Sequence, residues 1–189
     1  MSSTFAPIRR SERGLTLIEL IIVVAIIAIV ATIAVPSFQQ TLANSRVTEE
    51  TNRLVTALQL ARSEAIKLGA PVTVCKRPPS GSDVCWSAAT PRDWSNGWVV
   101  YQGDGFNANP AADDQIAIDP SVNTTIQVEA NGSFPRFIRF NPPEGIPNTN
   151  GSFFICNETF KTARSIVIFN SGRIRTERLT EAEYPSDCI

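Results

Sequence analysis

The sequence contains no histidine, and this absence excludes several classes of function. None of its 189 residues offers an imidazole as a general acid or base, and the four cysteines are not arranged as closely spaced pairs. The usual zinc sites and histidine-based catalytic relays therefore lack their essential groups, and the serines have no base to activate them. We expect a protein that is not an enzyme and holds no metal or cofactor.

The chain also lacks a strong net charge. Its 17 basic and 18 acidic residues leave a formal charge of −1. This balance gives no overall attraction to nucleic acid or to an anionic surface, so a partner of that kind must be recognised by a local patch. The length allows one domain with a sizeable core and an accessory segment.

One long apolar segment dominates the N-terminal part of the chain. Residues 15–35 form a run of 21 residues in which Glu19 is the one charged side chain. A helix of this length spans about 31 Å, which matches the core of a bilayer. The segment before it carries three arginines against one glutamate, so we expect it to stay in the cytoplasm while the rest of the chain is exported.

A plain signal anchor is the simplest interpretation of the apolar run, but it does not explain Glu19. An ionisable side chain in hydrocarbon is costly unless it has a partner, and such residues usually have a function. The segment Arg13-Gly14-Leu15-Thr16-Leu17-Ile18-Glu19-Leu20 resembles the type IV prepilin signature. The chain departs from that family's usual phenylalanine at the position of Leu15.

The resemblance implies that a prepilin peptidase in the membrane cuts between Gly14 and Leu15 and methylates the new N-terminus. Residues 1–14 would then be a leader, residues 15–35 the transmembrane and filament-core helix, and Glu19 the glutamate at mature position five. In a filament, the Glu19 carboxylate would neutralise the new amine of a neighbouring pilin, so that two costly charges form a pair. The implied location is the inner membrane with a periplasmic C-terminal domain, and the pilus after assembly.

Residues 36–69 predict an amphipathic helix that continues the first. Its apolar positions recur at steps of four and three, which places them on one stripe, and Gly69 and Pro71 end it. Pro36 falls where pilins carry a helix-kinking proline. We expect the stripe to pack on the following domain, and a coiled coil with another subunit is the alternative. The stripe consists of Val47, Thr51, Leu54, Leu58, Ala61, Ala65 and Leu68.

Residues 70–189 predict a β-rich periplasmic domain. Short β-branched or aromatic runs are separated by glycine, proline and asparagine, which is typical of antiparallel hairpins. The fold class is therefore α+β, with the helix packed on an antiparallel sheet. The predicted strands are Val72–Cys75, Trp98–Tyr101, Thr125–Glu129, Phe137–Phe140, Phe153–Cys156 and Ile166–Phe169.

A second resemblance covers this half. The segments Leu60-Ala61-Arg62-Ser63-Glu64-Ala65-Ile66, Trp94-Ser95-Asn96-Gly97-Trp98 and Ser171-Gly172-Arg173 together resemble the GspH/FimT group of minor pilins and pseudopilins. With the prepilin signature, the resemblance extends from Gly14 to Arg175. It implies a type IV pilin-like fold and assembly with other pilins.

The four cysteines form an even set in a chain expected to be exported, which predicts disulfides rather than free thiols. Four cysteines allow three pairings. We favour Cys75 with Cys85, because prolines and a glycine turn the chain between them, and Cys156 with Cys188, which would tie down the C-terminal tail.

Basic charge is concentrated in residues 159–178, where five basic residues stand against one glutamate. Arg173 and Arg175 lie two apart on an extended segment, so both face one side while Ile174 turns toward the core. Guanidiniums at that spacing, roughly 6.5 to 7 Å, suit successive phosphates of a nucleic acid. The other three basic residues are Lys161, Arg164 and Arg178.

Gly172, Arg173 and Arg175 also resemble the Gly-Arg-x-Arg motif of FimT-type minor pilins that bind DNA during natural transformation. This resemblance implies sequence-independent phosphate contacts by Arg173 and Arg175, with Lys161, Arg164 and Arg178 as weaker ones. The alternative is that Gly172 turns a hairpin and the arginines form a solvated edge. The protein would then be a structural minor pilin of the pilus tip, or a GspH-type pseudopilin of type II secretion.

Overall fold

A computed structural model describes residues 16–104, 110–111, 114–120, 124–147, 149–180, 183, 185 and 188. The chain divides into two compact units, residues 1–39 and residues 40–189. The predicted cleavage site between Gly14 and Leu15 lies outside the described residues.

Helix α1 runs from Leu17 to Leu68, with Pro36 inside it. Thr16 caps its start, because the Thr16 hydroxyl accepts a hydrogen bond from the Glu19 backbone N–H at 3.3 Å. Among the described residues, α1 is the one helix long and apolar enough to cross a membrane, and none of its most apolar stretch is buried. The apolar side chains of the first unit therefore lack protein cover in this chain, as an anchor requires.

The second part of α1 buries the predicted stripe. Six of its seven positions are buried, whereas Leu68, the last residue of the helix, lies outside the core and is 44% exposed. Glu50, a charged residue, is buried as well, and its carboxylate pairs with Arg53 at 2.7 Å. The prediction for the helix is confirmed except at its last turn.

Nine strands follow in the described part of the chain, and every pairing between them is antiparallel. They form two sheets, in the orders β3-β2-β1-β5-β6 and β4-β7-β8-β9. The strands are β1 (Val72–Lys76), β2 (Trp98–Gln102), β3 (Gln115–Asp119), β4 (Gln127–Ala130), β5 (Phe137–Asn141), β6 (Ile146–Pro147), β7 (Gly151–Asn157), β8 (Thr162–Ile168) and β9 (Ile174–Leu179).

The predicted α+β fold, a long helix packed on an antiparallel β-domain, is confirmed, and the strands form two sheets. The inner faces of the two sheets share one core with the helix stripe. Strand β3 escaped prediction because its sequence, Gln-Ile-Ala-Ile-Asp, is short and polar at both ends. Strand β4 begins two residues later than predicted.

Aromatic side chains fill the centre of this core. The rings of Trp94 and Phe153 meet edge to face at 4.9 Å, and Phe134 stacks on Phe153 at 5.4 Å. The Trp94 indole N–H donates to the Phe134 carbonyl at 3.2 Å, so its polar atom is satisfied. Trp94 and Trp98 are fully buried and unavailable for stacking on a ligand.

Disulfides close the outer faces of the two sheets. Cys75 joins Cys85 over a cluster with Val99 and Tyr101, and Cys156 joins Cys188. Their Cα atoms are 5.5 and 6.0 Å apart, respectively, which is the usual range for a disulfide. The pairing is the one that the sequence analysis favours.

Candidate nucleic-acid interface

The Gly-Arg-x-Arg segment forms the end of the turn between β8 and β9 and the start of β9. Gly172 adopts a φ of +74°, and its N–H donates to the Phe169 carbonyl at 2.8 Å. The Phe169 N–H in turn donates to the Arg173 carbonyl at 3.0 Å. Glycine is favoured at such a φ because it lacks a Cβ, so this residue specifies the hairpin. Strand β9 is the edge of its sheet.

Arg62 on helix α1 holds this hairpin in place. Its Nη1 donates to the Gly172 carbonyl at 2.6 Å, across 110 residues of sequence. A Cβ on Gly172 would lie 2.8 Å from the Gly145 carbonyl oxygen and 2.9 Å from the Arg62 guanidinium carbon. Two glycine turns thus pack against one arginine, and Gly172 is needed for packing as well as for its φ.

Arg173 and Arg175 are both exposed, and Ile174 between them packs against the core. Arg175 stands opposite Val167 of β8, on the face of the sheet that points away from the helix. The alternation expected for an extended segment is therefore present, and it leaves both guanidiniums accessible at the edge of the sheet.

One acidic residue competes for Arg175. Glu177 lies two residues further along β9, and its carboxylate contacts the Arg175 guanidinium at 2.5 Å. The side chains are 57% and 39% exposed, so solvent screens the pair. A phosphate bound by Arg175 would have to replace Glu177.

The structure does not bring the five basic residues together. Arg178 and Arg164 are paired across β8 and β9 on the helix side of the sheet, because the pleat reverses the direction of every second side chain. Arg178 and Lys161 line a cavity of about 640 Å³ that Gln40 and Asn44 of α1 also border. One continuous basic patch is thus not formed: two clusters lie on opposite faces.

A polar cluster that the sequence analysis missed ties α1 to sheet β3-β2-β1-β5-β6. Asp119 accepts hydrogen bonds from the Trp98 indole at 2.9 Å and from Arg53 at 2.8 Å. Burial disfavours the charge of Arg53, but hydrogen bonds and charges from Asp119 and Glu50 outweigh it, so the pKa of Arg53 is raised. The cluster joins residues far apart in sequence, so no local pattern predicts it.

A long N-terminal apolar helix followed by two antiparallel sheets is the architecture of a type IV pilin-like fold. The chain belongs to the family described as type II transport protein GspH, whose model matches residues 50–172. Residues 9–35 match the prokaryotic N-terminal methylation motif, which implies processing by a prepilin peptidase and assembly with other pilins. The family consists of structural pilins and pseudopilins.

Two crystal structures of the type IV minor pilin FimU from Pseudomonas aeruginosa (strain PAO1) share this fold. They have TM-scores of 0.52 and 0.55 at 22% sequence identity. The similar regions cover 76% and 80% of this chain and 98% of each FimU chain. No curated protein matches the sequence.

Proposed function

We propose that this protein is a minor pilin that binds DNA through Arg173 and Arg175 and captures it for natural transformation. The observation that carries the proposal is the pair of exposed guanidiniums at the start of the edge strand β9. They lie in a segment of net charge +4 within a chain of net charge −1. Local charge of this kind attracts a phosphate backbone where the whole chain does not.

Binding of this type depends on contacts to the phosphate backbone of DNA and not on contacts to its bases. Arginine forks match phosphate oxygens, and each phosphate that is neutralised releases counterions. With two phosphates engaged, the logarithm of the binding constant should fall with the logarithm of salt concentration with a slope of about −1.8. Duplexes of different sequence should bind with similar affinity.

The proposal includes the maturation that the prepilin signature implies. The peptidase cuts between Gly14 and Leu15, and the amine of Leu15 pairs with Glu19 of a neighbouring pilin in the filament. Residues 40–189 then lie on the periplasmic side before assembly and on the pilus surface afterwards. An exposed hairpin on such a filament is accessible to DNA outside the cell.

The experiment is a fluorescence anisotropy titration of labelled duplex DNA with the full chain in a neutral detergent, at low and high salt. The Arg173→Ala, Arg175→Ala double variant should lose the salt-sensitive binding. The matched control, Arg46→Ala with Arg92→Ala, removes the same charge at two other exposed positions and should bind almost as the parent does. If both double variants weaken binding equally, net charge and not the hairpin is responsible.

A structural role without DNA is the second candidate, and the packing of Gly172 favours it. The close contacts of Gly172 with Arg62 and Gly145 explain why this position is a glycine, without any role in binding a ligand. The hairpin would then contact another subunit, in a pilus-tip or initiation complex or in the pseudopilus of type II secretion. Absence of DNA binding by the folded parent protein would select this function.

A further inference from the structure

An exposed aromatic side chain lies at the start of the turn that carries the Gly-Arg-x-Arg segment. Phe169 directly follows the last residue of β8 and is 39% exposed. Of the described phenylalanines, Phe169 and Phe38 are the two that are exposed by more than a third, and Phe38 belongs to the unit 1–39. In contrast to the buried Trp94 and Trp98, the ring of Phe169 is accessible to a ligand.

The backbone of the hairpin places Phe169 directly across from Arg173. The Phe169 N–H donates to the Arg173 carbonyl at 3.0 Å, and the Gly172 N–H donates to the Phe169 carbonyl at 2.8 Å. Because Gly172 has a positive φ, this arrangement is a three-residue hairpin loop closed by a G1 bulge. The pair continues the register of the two strands, in which Ile168 lies opposite Ile174.

Phe169 shares the outer face of the sheet with both arginines. Directly opposed residues of an antiparallel pair project to the same face, with Cβ atoms about 4.5–5.5 Å apart. Arg175 lies two residues beyond Arg173, on the same face, and is opposite Val167 of β8. Ile174 between the arginines packs against the core on the other face. The outer face at this end of the hairpin therefore carries an aromatic ring beside a row of two guanidiniums.

Helix α1 holds the turn in this form. Arg62 donates to the carbonyl of Gly172 at 2.6 Å and to the carbonyl of Ser171 at 3.5 Å. A turn that is already held in place loses little conformational freedom when a ligand binds, and this favours affinity. The backbone that carries Phe169 and the two arginines is therefore preorganised.

An aromatic ring beside a row of cations suits single-stranded nucleic acid. Guanidiniums about 6.5–7 Å apart match successive phosphates, and an unpaired base can stack on a nearby ring. The bases of an intact duplex are stacked on one another, and taking one out costs free energy. A duplex also has the higher charge density, so electrostatic attraction alone favours it over a single strand. Preference for a single strand would therefore indicate stacking.

We propose that Phe169 is a base-stacking residue, and that the hairpin prefers single-stranded DNA, including the unpaired ends of duplexes, to intact duplex. One base stacks on the Phe169 ring while Arg173 and Arg175 contact the flanking phosphates. This inference rests on the proposed DNA binding by the two arginines and adds the form of DNA that the site takes. Stacking is tolerant of base identity, so binding remains independent of sequence.

The test compares three labelled ligands by fluorescence anisotropy, with the full chain in a neutral detergent at one low salt concentration. They are oligothymidylate of about 12 nucleotides, an abasic oligomer with the same number of phosphates, and a duplex with G·C pairs at both ends. The abasic oligomer keeps the charge of the single strand and removes its bases. We expect the parent protein to bind oligothymidylate roughly fivefold or more tightly than the abasic oligomer, and more tightly than the duplex.

Phe169→Leu keeps an apolar side chain and removes the flat ring. It should weaken the binding of oligothymidylate by about five- to tenfold, the lower part of the range for one stacked base, and leave the binding of the abasic oligomer unchanged. Phe169→Trp should keep the tight binding, and oligothymidylate should quench the fluorescence of the introduced indole whereas the abasic oligomer should not. Circular dichroism checks that each variant is folded.

The matched control is Phe160→Leu, which makes the same change at a half-buried phenylalanine in the turn between β7 and β8. It should bind all three ligands as the parent does. An equal loss of oligothymidylate binding in Phe160→Leu and Phe169→Leu would overturn the assignment of stacking to Phe169.

Failure of this inference differs from failure of the proposed function. If Phe169→Leu weakens the binding of the abasic oligomer as much as that of oligothymidylate, the ring supports the hairpin and does not stack on a base. The same conclusion follows if the parent binds the two oligomers equally. In both cases DNA binding by Arg173 and Arg175 stands. If the Arg173→Ala, Arg175→Ala double variant binds every ligand as the parent does, or if the parent binds none, the proposed function fails together with the inference.

Discussion

Arg62 donates a hydrogen bond to the carbonyl of Gly172 at 2.6 Å and another to the carbonyl of Ser171 at 3.5 Å, and these contacts join the α-helix to the hairpin that carries the candidate DNA-binding arginines. Arg62 and Gly172 both belong to segments on which the resemblance to the GspH/FimT group rests. Their joint presence is explained by packing, because the guanidinium of Arg62 and the carbonyl of Gly145 leave no space for a Cβ at Gly172, while the aliphatic stem of Arg62 lies against Gly145. The residues that hold the hairpin in place, Arg62 and Gly172, are thus different from the exposed arginines that the hairpin carries.

Replacing Gly172 with alanine should destabilise the protein. The φ of +74° costs an L-residue about 1–2 kcal/mol, and the new Cβ would overlap the Gly145 carbonyl. Gly81→Ala is the matched control, because Gly81 has a φ of +75° with no atom within 4 Å of the added Cβ. Chemical denaturation should show a larger loss for Gly172→Ala. Equal losses would mean that the close contacts are relieved without cost.

Removing the guanidinium of Arg62 should loosen the hairpin. Arg62→Met keeps much of the aliphatic stem and deletes a charge-assisted hydrogen bond worth about 1.5–3 kcal/mol. Hydrogen exchange should speed up at the Gly172 amide, which is bonded to the Phe169 carbonyl. Arg46→Met removes the same charge from an exposed helix position and should leave that amide unchanged. An unaffected Gly172 amide in Arg62→Met would show that the turn is held by its own bonds alone.

Removing the charge of Glu177 should raise the affinity for DNA, whereas removing Arg173 and Arg175 should lower it. Glu177→Gln releases Arg175 from an exposed ion pair and should raise DNA affinity by about two- to fivefold. Glu49→Gln makes the same charge change at an exposed position on α1, so it shows how much of the gain comes from net charge alone. Anisotropy titrations at low salt measure both. No difference between the two variants would argue against a phosphate contact by Arg175.

The sequence predicts the features of this structure that depend on patterns of neighbouring residues, and it does not predict contacts between distant segments. The periodic stripe from Val47 to Ala65 and the alternation around Ile174 are local patterns, so both were predictable. Arg175 and Arg178 are three apart on β9, so the pleat places them on opposite faces, but the predicted strands did not include β9 and the separation was missed. The Arg53, Asp119 and Trp98 cluster depends on the meeting of α1, β2 and β3, and β3 itself was missed.

The Asp119 cluster should contribute to stability. Asp119→Asn removes the charge that holds Arg53 and weakens the acceptor of the Trp98 indole, so we expect a loss of about 1–3 kcal/mol. The resonance of the Trp98 indole N–H should shift as well. Asp114→Asn, at an exposed position just before β3, is the control and should change neither. A wild-type denaturation midpoint for Asp119→Asn would show that the amide replaces the carboxylate fully.

Glu19 should matter for assembly and not for folding. It lies in the first turn of α1, is exposed, and belongs to the unit 1–39, outside the core that residues 40–189 form. Glu19→Gln leaves the new amine of a neighbouring pilin without a counter-charge in a medium where isolated charges are costly. The variant should accumulate in the membrane at normal levels and with the same thermal stability. Its amount in sheared filaments should fall by tenfold or more. A tenfold loss corresponds to about 1.4 kcal/mol, which one lost charge pair can supply.

Blocking cleavage tests whether the amine is the partner of Glu19. Gly14→Arg should prevent release of the leader and remove the amine of Leu15, which produces the same assembly defect. If the two groups act on each other, the double variant should be no worse than either single variant, because each change already removes the whole pair. Defects that multiply in the double variant would mean that Glu19 acts through another group, and normal filament incorporation of Glu19→Gln would remove the charge-pair explanation altogether.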